Sequence, residues 1–266
     1  MPSSLRSQGS RKLHSRLSSR LELIAVTGLP EIVIGDDLAE KIVRAAARAH
    51  ILFAEHDIFV IAQKIVSKSE GAIRDLSSVK PSRKARELAR RLKKDARQIE
   101  VVIRESRRVL RSERVLITET RHGFICANSG VDHSNVPGCD LVTLLPRNPD
   151  RSARKIANAL GQRTGKKIAV IISDTFGRPW RLGLTNVAIG AAGLPVLVDL
   201  RGTRDHTGKL LNATVLAVAD ELASAAGLLM SKSARIPVVL IRGFSYSPAS
   251  QPATEIIRPA KEDLFR

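Results

Sequence analysis

The chain has 266 residues, 43% hydrophobic and 26% charged; that is enough to bury a core, which excludes a wholly disordered or fibrous chain. Aromatic residues make up only 3%, so the core must come from Val, Ile, Leu and Ala, and stacking platforms for single-stranded nucleic acid are scarce. Lys plus Arg outnumber Asp plus Glu by 44 to 26, a net charge of +18, which favours anionic partners: nucleic acid, an anionic membrane surface or phosphorylated small molecules.

In chain order, residues 1–20 carry five Lys/Arg and no acid, and their Ser- and Arg-rich composition reads as a disordered basic tail. With no apolar segment it is not a secretory signal. Leu21–Val26 reads as a strand closed by Gly28-Leu29-Pro30. Asp36 or Asp37 can cap a helix over Leu38–His50. Asp57–Ala62 is a short buried strand, and Gly71 marks a turn. Pro81-Ser82 opens a helix over Arg83–Lys94, and a second is expected over Ala96–Leu110. Both have one apolar side and a densely basic opposite face, and residues 80–114 hold fourteen Lys/Arg against five acids.

Val115–Thr118 and Phe124–Ala127 read as strands around the turn Arg121-His122-Gly123, and Leu141–Leu145 as another. Asn148-Pro149 starts a helix to about Arg163, with proline in its first turn. Ile168–Ser173 is the strongest strand. Val187–Leu200 is apolar but broken by Gly190, Gly193 and Pro195, so strand pieces are expected rather than a helix. Gly202–Gly208 resembles a hairpin loop. Thr214–Ala217 is a strand leading to a helix over Asp220–Met230, and Pro237–Ile241 is the last strand. The Pro- and Ser-rich residues 246–266 are expected to wrap the surface loosely. Strands and helices alternate without a steady βαβ rhythm, so the fold class is α+β, or an irregular α/β, rather than a doubly wound sheet. No apolar run reaches the roughly 18 residues of a membrane span. Cys126 and Cys139 are the only cysteines; no disulfide framework is indicated, and a reducing cytoplasm is the simpler setting.

Phosphate-loop, G-x-G-x-x-G, H-E-x-x-H and paired C-x-x-C patterns are absent, so any nucleotide is handled by another route. Four stretches are unusual. GLPEI, at Gly28–Ile32, bends the chain after a strand and exposes backbone N–H groups, as a simple turn also would. NSGVDHSN, at Asn128–Asn135, puts Asp132 among small polar neighbours, suited to a hard cation or to an ordinary polar turn. In QKIVSKSEG, Gln63, Lys64 and Lys68 follow a strand; a lysine there can meet a phosphate or simply be solvated. SDTFGRPWR ends the strongest strand in Asp174, which offers a hard oxygen, and Thr175, a hydroxyl. Arg178 and Arg181 add bidentate donors for phosphate or carboxylate. Mg2+ takes one or two carboxylates and completes its shell with phosphate and water. Asp132 and Asp174 could be that pair, although a separation of 42 residues is not a metal signature.

Taken together, GLPEI, GDDLA, QKIVSKSEG, NSGVDHSN, SDTFGRPWR, VADELA and IPVVLIRG, in this order over residues 21–243, resemble the coenzyme F420-0:L-glutamate ligase family. The resemblance implies a two-lobed α+β ligase domain over about 21–245, forming an intertwined homodimer with the site in a groove at the interface. It implies a GTP-dependent enzyme using Mg2+ or Mn2+ at two sites, and often K+, that joins L-glutamate to the lactyl carboxylate of coenzyme F420-0. By matching motif, Asp132 and Asp174 correspond to ligands of one metal and Thr175 to a ligand of the second. Leu29, Pro30, Glu31, Ile32, Gln63, Lys64, Lys68 and Asn135 correspond to GTP contacts, and Met230, Ser231 and Lys232 begin a further nucleotide-binding loop that runs to Ile236. The chain departs from the pattern here: some members read M-G-E, with the acid on the second metal, where this chain has Met230-Ser231-Lys232.

The chemistry expected on that basis is transfer of the GTP γ-phosphoryl group to a carboxylate, then attack by the glutamate amine. Positioning and charge neutralisation dominate such reactions. Arg178 is the candidate to hold the acyl phosphate or a carboxylate. His122 and His133 are general-base candidates by adjacency alone. Further γ-linked glutamates could then be added. A related ligase with a different small acid as acceptor and a nucleic-acid-binding protein are the alternatives; the latter is disfavoured by sparse aromatics and by Asp-bearing loops that would repel phosphate without a cation.

Overall fold

A computed structural model of the chain describes residues 19–133, 140–230 and 235–263. The elements in order are β1 (Glu22–Ala25), α1 (Leu38–Arg48), β2 (Ile58–Ala62), α2 (Gln63–Ser69), β3 (Ile73–Asp75), α3 (Arg83–Leu92), α4 (Ala96–Glu105), β4 (Ser106–Ser112), β5 (Leu116–Thr120), β6 (Ile125–Ala127) and β7 (Leu141–Thr143). They continue with α5 (Pro149–Thr164), β8 (Ala169–Arg178), β9 (Arg181–Ala192), β10 (Val198–Asp199), β11 (Val215–Leu216), α6 (Val218–Gly227) and β12 (Val238–Arg242). The fold is α+β. No helix among the described residues is long and apolar enough to cross a membrane.

The main sheet has the order β1-β12-β2-β8-β9. Only the β2–β8 pair is parallel; the other three pairings are antiparallel. It follows that β1, β2 and β8 all run the same way; β1 and β2 end at one edge, and β8 runs on past it. The unbroken apolar runs of β2, β8 and β12 have a direct reason. Alternate side chains point to opposite faces, and both faces are covered. Phe59, Ile61, Val170, Ile172, Val238 and Leu240 enter one core with α1 and α5. Ile58, Val60, Ala169, Ile171, Val239 and Ile241 enter a second with α6.

Local signals explain the helix ends. The Asp37 carboxylate accepts the Glu40 N–H at 3.0 Å to cap α1. Asn148 caps α5 by accepting from Arg151 N at 2.9 Å, Pro149 fills its first turn, and Gly165 closes it in the left-handed region at φ 69°. A third core gathers Leu76, Leu88, Val102, Leu116 and Val142 within the 72–144 stretch. There β4-β5-β6 form a separate small sheet and β3 pairs with β7.

Four expectations need correction. The helix expected to Leu110 stops at Glu105, because Ser106–Ser112 pairs with β5 as β4. The strand expected to end at Ser173 runs on to Arg178. Its partner β9 is continuous from Arg181 rather than beginning near Val187, with a register shift between Ile172 and Ser173 taking up the irregularity. The C-terminal stretch is pinned rather than loose: Ala253 is fully buried, its N–H reaches the Asp150 carboxylate at 2.9 Å, and Gln251 Oε1 accepts from Val196 N at 2.9 Å.

Candidate functional site

The topology creates the site. Where β1 and β2 end, the chain continues as the 28–32 loop and as α2, and β8 carries Asp174-Thr175 just past its last pair with β2. Parallel pairing sets Ala62 beside Ser173, so the start of α2 and the acid-hydroxyl pair are neighbours. The antiparallel β12 begins at the same edge, where Pro237 O accepts the Ala62 N–H at 2.8 Å. Clefts outside strand ends of this kind are where α/β sheets place ligands.

A cavity of about 800 Å³ lies there, lined by Leu29, Pro30, Glu31, Ile32, Gln63, Lys64, Lys68, Asp132, Asp174, Thr175 and Met230 together with Ser173, Asn186 and the 235–237 stretch. Four stretches singled out in the sequence thus meet in one place, although they lie from 31 to 146 residues apart along the chain. Asp132 arrives from the 72–144 stretch. Its backbone bridges Thr143, with N–O separations of 3.1 and 2.9 Å, and its carboxylate accepts from Lys64 Nζ at 2.7 Å. Lys68 is buried along its stem and its ammonium pairs with the exposed Glu31 carboxylate. Gln63, also buried, accepts from Ser67 Oγ at 2.8 Å. Asp174 Oδ1 accepts the Thr175 N–H at 2.8 Å.

The cleft contains hard-oxygen donors and cations but no thiolate. No group of three or more His, Cys, Asp or Glu that could hold a metal occurs among the described residues. Carboxylates and a hydroxyl suit hard cations that complete their shells with water and phosphate, and do not fit a closed structural metal site. Cys126 lies behind the site. Burial, then the charge of Asp174, pushes its thiol up to about 12, so it stays protonated at neutral pH and is no nucleophile.

Other expected residues lie elsewhere. Arg178 and Arg181 face each other at the far end of the β8–β9 hairpin; Arg178 donates to Leu182 O at 3.2 Å, and neither lines the cavity. His122 Nε2 sits 3.1 Å from Arg147 O, and His122 and His133 also lie outside the lining. Asn135, Ser231 and Lys232 lie outside the described residues, as do Cys139 and residues 1–18 of the basic tail. Sequence reasoning missed Asn186. The only signal for it is its place opposite Thr175, which requires knowing that β9 begins at Arg181.

The F420-0:Gamma-glutamyl ligase family matches residues 28–243. The chain is 44% identical to a Coenzyme F420:L-glutamate ligase of Methanothermobacter thermautotrophicus over 92% of its own length and 99% of the relative's. It is 43% identical to the protein of that name from Methanocaldococcus jannaschii, over 79% and 84%. The corresponding figure is 39% for that of Archaeoglobus fulgidus, over 93% and 97%.

Proposed function

The chain belongs to the F420-0:Gamma-glutamyl ligase family, and on that footing we propose that it joins L-glutamate to the lactyl carboxylate of coenzyme F420-0 at the expense of GTP. The names of its relatives support the ligase activity and its substrates. The observation that carries the reading furthest is the single cleft that collects Asp132, Asp174, Thr175, Lys64, Lys68 and the 29–32 loop. Its volume is within the usual range of small-molecule sites.

The reaction runs in two balanced steps. A lactyl carboxylate oxygen attacks the γ-phosphorus, the bond from that phosphorus to the bridging oxygen breaks, and GDP departs with the electron pair. The glutamate amine then attacks the acyl carbon of the acyl phosphate, a C–N bond forms, inorganic phosphate leaves, and the amine proton goes to solvent. Further γ-linked glutamates would repeat the same steps on the new terminal carboxylate.

Asp132 and Asp174 would hold one magnesium or manganese ion and Thr175 a second, with phosphate and water completing both shells; K+ is a further candidate. Bound there, the cations supply neutralisation of the charge on the transferring group. Lys64 and Lys68 act as point charges beside the phosphates, and each would exchange its present carboxylate partner for a phosphate oxygen. The 29–32 loop and Gln63 contact the nucleotide. Arg178 reaches a site only if a second chain brings one to it. A homodimer would do so, and the tip of the β8–β9 hairpin supports that reading: Trp180 and Leu182 are 87% and 98% exposed, and neighbouring exposed apolar side chains mark interaction sites.

The test is incubation with GTP, Mn2+, isotopically labelled L-glutamate and coenzyme F420-0, with the products read by mass. Labelled product with GTP is expected. Product only with another small acid would assign the acceptor differently, and no amide with any acceptor would end the ligase reading.

A further inference from the structure

Asn186 lies in the cleft opposite Thr175 in the β8–β9 ladder. The Thr175 hydroxyl donates to Asn186 Oδ1 at 3.1 Å. The amide is oriented from its other side: Asn186 Nδ2 points at Met230 Sδ at 3.6 Å. A thioether accepts and cannot donate, so the nitrogen belongs there and the oxygen belongs toward Thr175.

The residue is also seated by α6. Its backbone carbonyl accepts from Ser224 Oγ at 2.8 Å, and that hydroxyl lies 3.0 Å from Thr185 Oγ1. Gly227 gives the side chain its room, since a Cβ there would come within 3.0 Å of Asn186 Cγ and 3.2 Å of Nδ2. Asn186 is therefore seated against α6 through its backbone, and its side chain packs closely over Gly227.

A hydroxyl carries one proton and two lone pairs. With its proton committed to Asn186, Thr175 offers the cleft its lone pairs, which suit a cation, and no longer a donor for a phosphate oxygen. We propose that Asn186 is a positioning residue that fixes Thr175 as a lone-pair donor to the second cation of the cleft. The inference rests on the ligand role given to Thr175 above and adds a residue that acts through it.

The experiment follows Mn2+ binding by the electron paramagnetic resonance of the free ion, at a fixed concentration of a non-hydrolysable GTP analogue. The variants are Thr175→Val, Asn186→Leu, the double variant and Asn186→Asp. Metal-free melting temperatures check folding, and Asn186→Ala replaces Asn186→Leu should the latter unfold. Thr175→Val and Asn186→Leu are each expected to weaken Mn2+ binding about tenfold or more, the usual size of an outer-shell effect. The double variant should be no weaker than Thr175→Val alone, because both changes remove one interaction. Asn186→Asp keeps the acceptor and should restore binding. Unchanged affinity in Asn186→Leu beside a weakened Thr175→Val, or additive losses in the double variant, would overturn the role of Asn186 alone. Unchanged affinity in Thr175→Val would remove the ligand role of Thr175 itself, and the inference with it.

Discussion

Gly190 is a glycine because Pro149 leaves it no room: a Cβ there would lie 2.5 Å from the Pro149 carbonyl carbon and 2.6 Å from its oxygen. Backbone cannot yield as a flexible side chain can. Gly190→Ala is therefore expected to destabilise the protein by about 1–3 kcal/mol, the usual cost of overpacking, measured by denaturant unfolding; an unchanged midpoint would mean that α5 is not held this tightly to β9. At the cleft, Asp132→Asn and Asp174→Asn keep the shape and remove the charge. Each is expected to lower GTP-dependent ligation roughly a hundredfold or more, the scale set by losing one preorganised electrostatic group, without lowering the melting temperature. Full activity in either would remove that carboxylate from the metal assignment. Acids, hydroxyls and lysines after apolar strands are conspicuous in the sequence, but each stretch alone also reads as a turn or a solvated residue; their order along the chain, which resembles one family, is what joined them. Asn186 was not legible, since its meaning lies in a cross-strand neighbour and in Gly227 and Met230, which no local pattern connects.

Helices α3 and α4 are tied by one buried acid. Glu100 accepts the Ser82 N–H at 2.9 Å and Arg104 Nε at 2.8 Å. Burial raises its pKa, but these hydrogen bonds, from Ser82 and then Arg104, outweigh it and hold the carboxyl below the ordinary glutamate range. A depressed folded-state pKa contributes stability that is present above the unfolded value and is lost as pH falls through the folded one. Unfolding free energy should thus decline below about pH 4.3, the unperturbed glutamate value, and Glu100→Gln should flatten that decline; an identical pH profile in the variant would contradict it. Helix α3 also opens with Arg83 and Lys84, has no acid in its first turn, and so opposes its own macrodipole. Lys84→Glu should stabilise by about 0.3–1 kcal/mol, read as a rise in melting temperature. Element identities were largely readable from periodicity and caps, as in α1 and α5. The failures share a cause: β4 has no local break from α4, and it becomes a strand only because β5 pairs with it. The length of β8 and β9 likewise comes from their mutual pairing, and α2 is too short to show a helical period.

Across the whole molecule, a sheet with both faces covered fixes one edge where loops from distant parts of the chain converge, and that edge carries the proposed chemistry. The exposed hairpin tip suggests how two such molecules would meet. Trp180→Glu combined with Leu182→Glu is expected to convert a dimer into a monomer by light scattering; a wild type that is already monomeric would contradict the dimer. The excess positive charge over residues 80–114 lies largely apart from the cleft lining, so the α+β frame was readable from composition and pattern while the placement of charge relative to the site was not. The most direct measurement of the proposed chemistry uses coenzyme F420-0 labelled with oxygen-18 in its lactyl carboxylate. Turnover through an acyl phosphate should deliver one labelled oxygen to the inorganic phosphate released with each amide formed. Amide product accompanied only by unlabelled phosphate would contradict activation of that carboxylate by phosphoryl transfer.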